Sequence, residues 1–478
     1  MEKSSRRGFL KAASATAAAL AVSGRVPAWA AAGPVQVWST FRERRHAAGE
    51  PLQWKPVIEV AADAIMLDPG AERQQILGFG AALTDASCYV LNQMPEAERQ
   101  ALMTELFAPE QMALSVCRTC IGSSDYSRSV YSFDESAEPD PELKKFSIEH
   151  DRAYILPVLR RARGINRELF LFSSPWSPPG WMKANGSMLG GSMLKRNFEP
   201  YARYFLRFLE GYKAAGVPID AITVQNEVDT AQDGRMPACL WGQEYEIEFV
   251  RRYLGPAMRK AGAETKIWIL DHNYNLWGRA IDELSDAGVY EYVDGVAWHG
   301  YAGDPTAMSR VHDAFPQKNA YWTEGGPQID APDYQTDWSK WAATFNDIVN
   351  NRARSITAWN LALDERGKPN IGPFRCAGTV TVDSASHKVT RSGQYWAFAH
   401  FSRHVRRGAR VFATDGVGNF AAQGGAGGVT HAGFRNANGG MVVVLANRGA
   451  EKRVQLVVGS QALDVDLPAD SVHTLEWA

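Results

Sequence analysis

Cysteine is scarce and odd in number. Cys88, Cys117, Cys120, Cys239 and Cys376 are too few and too scattered among 478 residues for a disulfide framework, so at most a bridge or two is expected. Cys117 and Cys120 form a C-x-x-C, but in an apolar stretch that reads as a strand, where residues three apart point to opposite faces. With no second pair to complete a zinc site, they read as buried thiols. Charge of one sign is also missing. The 51 basic and 53 acidic side chains leave a formal net charge of -2, with no long-range field to hold a polyanion, which argues against a nucleic-acid partner. Beyond the N-terminus no stretch reaches the roughly 18 uninterrupted apolar residues needed to span a bilayer, so no stable membrane insertion is expected. Several catalytic signatures are absent as well. Asp271, His272 and His299 could be assembled into a metal-ligand set, but no H-E-x-x-H or comparable spacing supports one, and a G-x-S-x-G elbow is lacking. Gly78-Phe79-Gly80-Ala81-Ala82 has Leu83 where a dinucleotide-binding turn needs its third glycine. Neither a metal nor a cofactor is expected.

What is present is ample apolar sequence, 45% of the chain, enough for two domains of unequal size. At the N-terminus, Ser5-Arg6-Arg7-Gly8-Phe9-Leu10-Lys11 precedes an Ala-rich run from Ala12 to Val22, and Ala28-Trp29-Ala30 supplies small residues of the A-x-A type. This resembles a twin-arginine (Tat) signal peptide over residues 1–30, which implies passage through the Tat export machinery and a periplasmic or secreted protein.

Val35 to Leu67 shows short alternating runs such as Val57-Ile58-Glu59-Val60, and the stretch from about Phe398, with Met441-Val442-Val443-Val444-Leu445 and Val454-Gln455-Leu456-Val457-Val458, is likewise strand-like. Between these flanks, strand and helix textures alternate. Eight short apolar runs centre on Ile76–Phe79, Leu114–Cys117, Leu169–Phe172, Ile222–Val224, Ile267–Leu270, Val296–Trp298, Tyr321–Thr323 and Ile356–Trp359. Eight such units in roughly 300 residues predict an α/β fold, a (β/α)8 TIM barrel.

The active site of such a barrel gathers at the C-terminal ends of its strands. Those ends are polar and aromatic: Ser124-Asp125-Tyr126, Ser174-Pro175-Trp176, Asn226-Glu227, Asp271-His272-Asn273, His299-Gly300-Tyr301, Glu324-Gly325-Gly326 and Trp359-Asn360. Glu227 and Glu324 end strands four and seven, which face one another across the barrel mouth. Glycoside hydrolysis needs such a pair, one carboxyl to protonate the leaving oxygen and one to attack or stabilise the oxocarbenium-like carbon. A non-catalytic carbohydrate-binding protein on the same scaffold is the rival of another class, and it would be expected to have lost a carboxylate.

Over nearly the whole mature length the chain resembles glycoside hydrolase family 30, which includes the glucosylceramidases. The resemblance rests on Gly78-Phe79-Gly80-Ala81-Ala82-Leu83-Thr84-Asp85, Ser174-Pro175-Trp176-Ser177-Pro178-Pro179, Thr223-Val224-Gln225-Asn226-Glu227 and Trp359-Asn360-Leu361-Ala362-Leu363. It implies a retaining hydrolase with Glu227 as acid/base and Glu324 as nucleophile. Asn226 would hold the sugar 2-hydroxyl, Arg118 would sit beside the nucleophile and help to keep it ionised, and Asp125, Trp176 and Trp359 would line the terminal sugar's subsite. His299 and Tyr301 match the family's strand-six pair, with Tyr301 placed to hydrogen-bond Glu324. The same resemblance implies a β-sandwich from residues 31–70 and 398–478 packed on a catalytic barrel of residues 71–397. Gly300, where glucosylceramidases tend to carry a large aromatic, and Met236-Pro237, where Tyr-Pro is common, depart from the family at the pocket mouth. The substrate is therefore expected to be a β-linked glucoside, as glycolipid, oligosaccharide or glucan. Glucosylceramidase-like action leads, with endo-β-1,6-glucanase or β-xylosidase as alternatives.

Overall fold

A computed structural model describes residues 33–416 and 428–478. The expected signal peptide lies outside the described residues. Eight parallel strands close into a barrel: β1 (Gly78–Ala82), β2 (Val116–Cys120), β3 (Phe170–Ser174), β4 (Ala221–Thr223), β5 (Lys266–Asn273), β6 (Val293–His299), β7 (Asn319–Glu324) and β8 (Ala353–Asn360). Each coincides with one of the eight apolar runs in the sequence. The first two strands approach closely because Gly80 has no side chain: a Cβ there would lie 1.8 Å from the Val116 carbonyl oxygen. Inside the barrel, Val116, Phe172, Ala221, Trp268, Ala297 and Tyr321 form an apolar cluster of their own, with Trp268 stacked on Tyr321 at 3.9 Å between ring centroids.

The flanks of the chain make a second body. Strands from residues 36–75 and 410–477 join in one ten-stranded sheet, in which Ile65–Gln75 pairs with both Arg410–Asp415 and Lys452–Val458. Met441–Asn447 is buried along its whole length, and side-chain alternation explains how. Val443 and Leu445 point into the sheet's own core, while Val442, Val444 and Ala446 join the barrel's core cluster. This strand thus welds the two bodies together.

Two local expectations change. The stretch around Phe398 is not strand but the helix Gly393–Ser402, capped by the Ser392 hydroxyl accepting from the Tyr395 N–H, and the strands begin again only at Arg410. That helix is buried between barrel and sheet on nearly every side, so no polar face marks a helical period. Val57-Ile58-Glu59-Val60 lies just beyond the two-residue strand Lys55–Pro56 and forms no strand, with Ile58 fully exposed. The five cysteines are free and buried, and burial pushes the Cys117 thiol up to about 12.

Candidate active site

The site begins one step above the apolar cluster. Side chains two residues apart on a strand share a face, so Val116, Phe172, Ala221, Ala297 and Tyr321 are followed upward by Arg118, Ser174, Thr223, His299 and Thr323. An apolar floor becomes a polar layer. The fifth strand joins that layer through an irregularity. Leu270 and Asp271 have φ of 70° and 47°, and the register with β6 shifts between Ala297 and Trp298, so β5 carries one extra residue and turns Asp271 inward. Asp271 accepts from Ser174 Oγ at 2.8 Å, from the Thr223 and Thr323 hydroxyls at 2.7 Å each and from Arg118 Nη2 at 2.7 Å, and its Oδ1 lies 3.1 Å from His299 Nε2. Burial opposes its charge, but Arg118, His299 and Thr223 hold the carboxyl well below its ordinary range.

Arg118, fully buried, distributes one charge over several partners. Its Nη1 donates to Glu324 Oε2 at 2.5 Å, and its Nη2 to Asp271 and, at 2.8 Å, to Asn226 Oδ1. The Tyr301 hydroxyl donates to Glu324 Oε1 at 3.1 Å. Glu227 follows β4 with φ of 53°, and its N–H donates to the Asp271 carbonyl at 3.0 Å, which ties the loop to β5. Gln232 Nε2 donates to Glu227 Oε2 at 3.0 Å, while His299 Nδ1 and His272 Nδ1 face Oε1 at 3.4 and 3.8 Å.

His299 therefore stands between the two glutamates, with its Nε2 3.8 Å from Glu324 Oε2. Burial alone would push the imidazole down, but Glu324, Asp271 and Glu227 together push it up to about 9, so it carries a proton at neutral pH. Burial also raises Glu227, yet His299, His272 and Gln232 outweigh it and hold that carboxyl below its ordinary range. Glu324 lies above its ordinary range: burial, with Glu227 and Asp271 adding to it, exceeds the pull of His299 and Arg118. Arg118 sits beside Glu324 and pulls its carboxyl down, the direction that favours the ionised form, while it also serves Asp271 and Asn226.

Above this layer opens a cavity of about 440 Å³, within the range of small-ligand sites. Asp125, Trp176, Asn226, Glu227, Tyr301, Glu324 and Trp359 all line it. Arg118 and His299 do not; they lie beneath and act on the glutamates. Trp176 and Trp359 stack with centroids 5.0 Å apart, and the Arg118 guanidinium lies 4.5 Å from the Trp176 ring centre. Burial, reinforced by Glu324 and Glu227, pushes the Asp125 carboxyl well above its ordinary range. Gly300 also finds its reason here: a Cβ at that position would meet the Trp322 ring at 2.8 Å.

Residues outside the sequence-derived set complete the site. Asp271 is the hub of the polar layer, and Gln232 and His272 reach Glu227. Asp229 Oδ1 takes His272 Nε2 at 2.5 Å, a bond that is the first cause of its lowered carboxyl pKa. The strand-end position was the available signal for Asp271 and His272; nothing local marks Asp229 or Gln232. Glu227, His272 and His299 also bring one ligand-type atom each within 4.8 Å of one another, because two imidazoles flank one carboxylate.

Comparison with known proteins bears on the whole molecule. The family model described as the glycosyl hydrolase family 30 TIM-barrel domain matches residues 76–405, and that of the family 30 beta sandwich domain matches residues 410–475. The chain is 34% identical over 394 residues to the endo-1,6-beta-D-glucanase of Neurospora crassa, covering 80% of each chain. It is 29% identical to putative glucosylceramidase 3 of Caenorhabditis elegans, covering 86% of this chain and 82% of that one. The solved structure of the endo-beta1,6-glucanase BT3312 aligns with a TM-score of 0.83 at 28% identity, over 94% of this chain and 100% of the other. Both bodies are matched in order and nearly end to end, and the chain belongs to glycosyl hydrolase family 30, a family of glycoside hydrolases.

Proposed function

We propose that the protein is an exported, retaining β-glycosidase that cleaves β-1,6-linked glucan. The similarity to the Neurospora endo-1,6-beta-D-glucanase over four-fifths of both chains carries the substrate assignment. The pocket agrees with it. Thr230, Gln232, His272 and Asn273 give the cavity a polar flank beside Glu227, suited to hydroxyls rather than to lipid chains.

In this reading Glu324 attacks the anomeric carbon and Glu227 protonates the departing oxygen, then activates water for the second step. The stacked Trp176 and Trp359 give the glucose ring an apolar face to lie against. Asp125, which lines the same cavity, hydrogen-bonds a hydroxyl of that ring. Asn226, with Oδ1 taken by Arg118, has its Nδ2 left for the 2-hydroxyl. His299 lies beneath, its Nδ1 3.4 Å from Glu227 Oε1, and helps to fix the orientation of the carboxyl that serves as the acid. As the sugar becomes cationic in the transition state, the Glu324 carboxylate faces it, with Arg118 and Tyr301 holding its two oxygens.

A substrate panel tests the assignment. Purified protein is expected to convert a linear β-1,6-glucan to short oligosaccharides faster than it hydrolyses glucosylceramide or β-xylosides, with the β-anomer as first product by NMR. Initial release of the α-anomer would falsify the retaining mechanism, and preference for the glycolipid or the xyloside would overturn the substrate.

Export through the Tat machinery to the periplasm or medium belongs to the same reading, supported by Ser5-Arg6-Arg7-Gly8-Phe9-Leu10-Lys11 and Ala28-Trp29-Ala30. Changing Arg6 and Arg7 both to Lys is expected to leave active enzyme in the cytoplasm, and exported protein is expected to begin near Ala31. Unimpaired export of the double variant sinks this part.

A further inference from the structure

The ends of β4 and β7, which bear Glu227 and Glu324, divide the barrel mouth into two arcs. One arc, from β8 through β1 and β2 to β3, carries Trp359, Asp125 and Trp176; the other, β5 and β6, carries His272, Asn273 and Tyr301. With the reacting glucose against the paired tryptophans, the second arc faces the leaving group. There, the half-exposed Asp229 engages His272 Nε2 at 2.5 Å. The other ring nitrogen, Nδ1, is buried, belongs to a side chain only 8% exposed, and has no hydrogen-bond partner among the described residues. Its nearest carboxylate, Glu227 Oε1 at 3.8 Å, is too far for a hydrogen bond. A buried polar atom left unpaired on a cavity wall calls for a partner. With Nε2 engaged by Asp229, Nδ1 is the ring nitrogen left for a ligand, and a hydroxyl, which both donates and accepts, can pair with it.

We propose that Asp229 and His272 form a subsite for the leaving sugar, in which His272 Nδ1 hydrogen-bonds a hydroxyl of the departing glucose unit. Asp229 is a positioning residue, setting the tautomer and ring orientation of His272. The subsite rests on the β-1,6-glucanase reading and deepens it, because it selects what lies on the far side of the broken bond. A simple alkyl leaving group places a methylene against Nδ1 and leaves it unsatisfied, whereas a sugar supplies a hydroxyl. Thr230, Gln232 and Asn273, on the same flank of the cavity, extend this polar surface.

The test is a ratio: kcat/KM for a β-1,6-linked gentio-oligosaccharide divided by that for octyl β-glucoside. Both substrates need a proton on the leaving oxygen, so a change acting through Glu227 cancels; only the first leaving group carries hydroxyls. His272→Ala is expected to lower the ratio about 10- to 100-fold, the cost of one lost hydrogen bond to a buried partner. His272→Asn, which keeps an oxygen near the place of Nδ1, is expected to recover part of it. Asp229→Ala is expected to lower the ratio less, mainly through a higher KM, and Asp229→Asn to restore it. A ratio unchanged in His272→Ala and in His272→Asn, whatever the absolute rates, overturns the subsite. Failure of the underlying reading shows elsewhere, in wild-type enzyme that hydrolyses octyl β-glucoside and leaves gentio-oligosaccharides intact.

Discussion

Glu324→Ala is expected to lower kcat/KM by on the order of 10⁴ to 10⁶ on every β-glucosidic substrate, as removal of a covalent nucleophile does. The loss should be the same for alkyl and dinitrophenyl glucosides, because the missing group forms the bond to carbon in both. Added azide should restore turnover by attacking from the vacated face and give an α-glycosyl azide. The fold should survive, because Arg118, which loses Glu324, keeps Asp271 and Asn226 as acceptors. Thermal unfolding separates that outcome from collapse of the polar layer. Losses that follow the leaving group's acidity would show that Glu324 is the proton donor instead.

Glu227→Ala is expected to divide the same substrates. An alkyl glucoside cannot leave without protonation and should lose about 10² to 10⁴ in rate. The dinitrophenyl glucoside needs little help, so its first step should proceed and the glycosyl-enzyme should accumulate on Glu324 for want of a base to activate water. Intact-protein mass spectrometry reads that adduct. Azide should then release a β-glycosyl azide, the net outcome of two inversions. An α-product from this variant reverses the two assignments.

The eight barrel strands were legible because each is a short apolar run bounded by polar loops. Glu227 and Glu324 were legible because each closes such a run. Arg118, Asp125, Asn226, Trp176, Tyr301 and Trp359 lie on or just after strands within recognisable segments, and the structure gathers them at one end of the barrel. The helix Gly393–Ser402 was not legible, since burial on nearly all sides removed the polar face that marks helical periodicity. The run at Val57–Val60 shows the converse: alternation without a neighbouring strand to pair with does not make a strand.

Asp271 marks where local reading stops. Plain alternation along β5 would put Leu270 on the face of Trp268, inside the barrel, but Leu270 packs in the outer core with Ile267 and Ile269; the extra residue at the positive-φ pair Leu270 and Asp271 turns Asp271 inward instead, beneath the two glutamates. From there the tertiary structure decided the electrostatics. Asp271 shares the Arg118 charge with Glu324, and with Glu324 and Glu227 it pushes the His299 imidazole up between the glutamates. It also decided that Asp229, distant from β5 in sequence, meets His272. The sequence by itself determined the barrel and the two carboxylates, because strand period and strand-end position are properties of a few adjacent residues, while the appended sheet was implied by the family resemblance. Which charges are shared, and which nitrogen faces the cavity unpaired, depend on the ends of separate strands meeting in space, and a one-residue bulge is enough to change them.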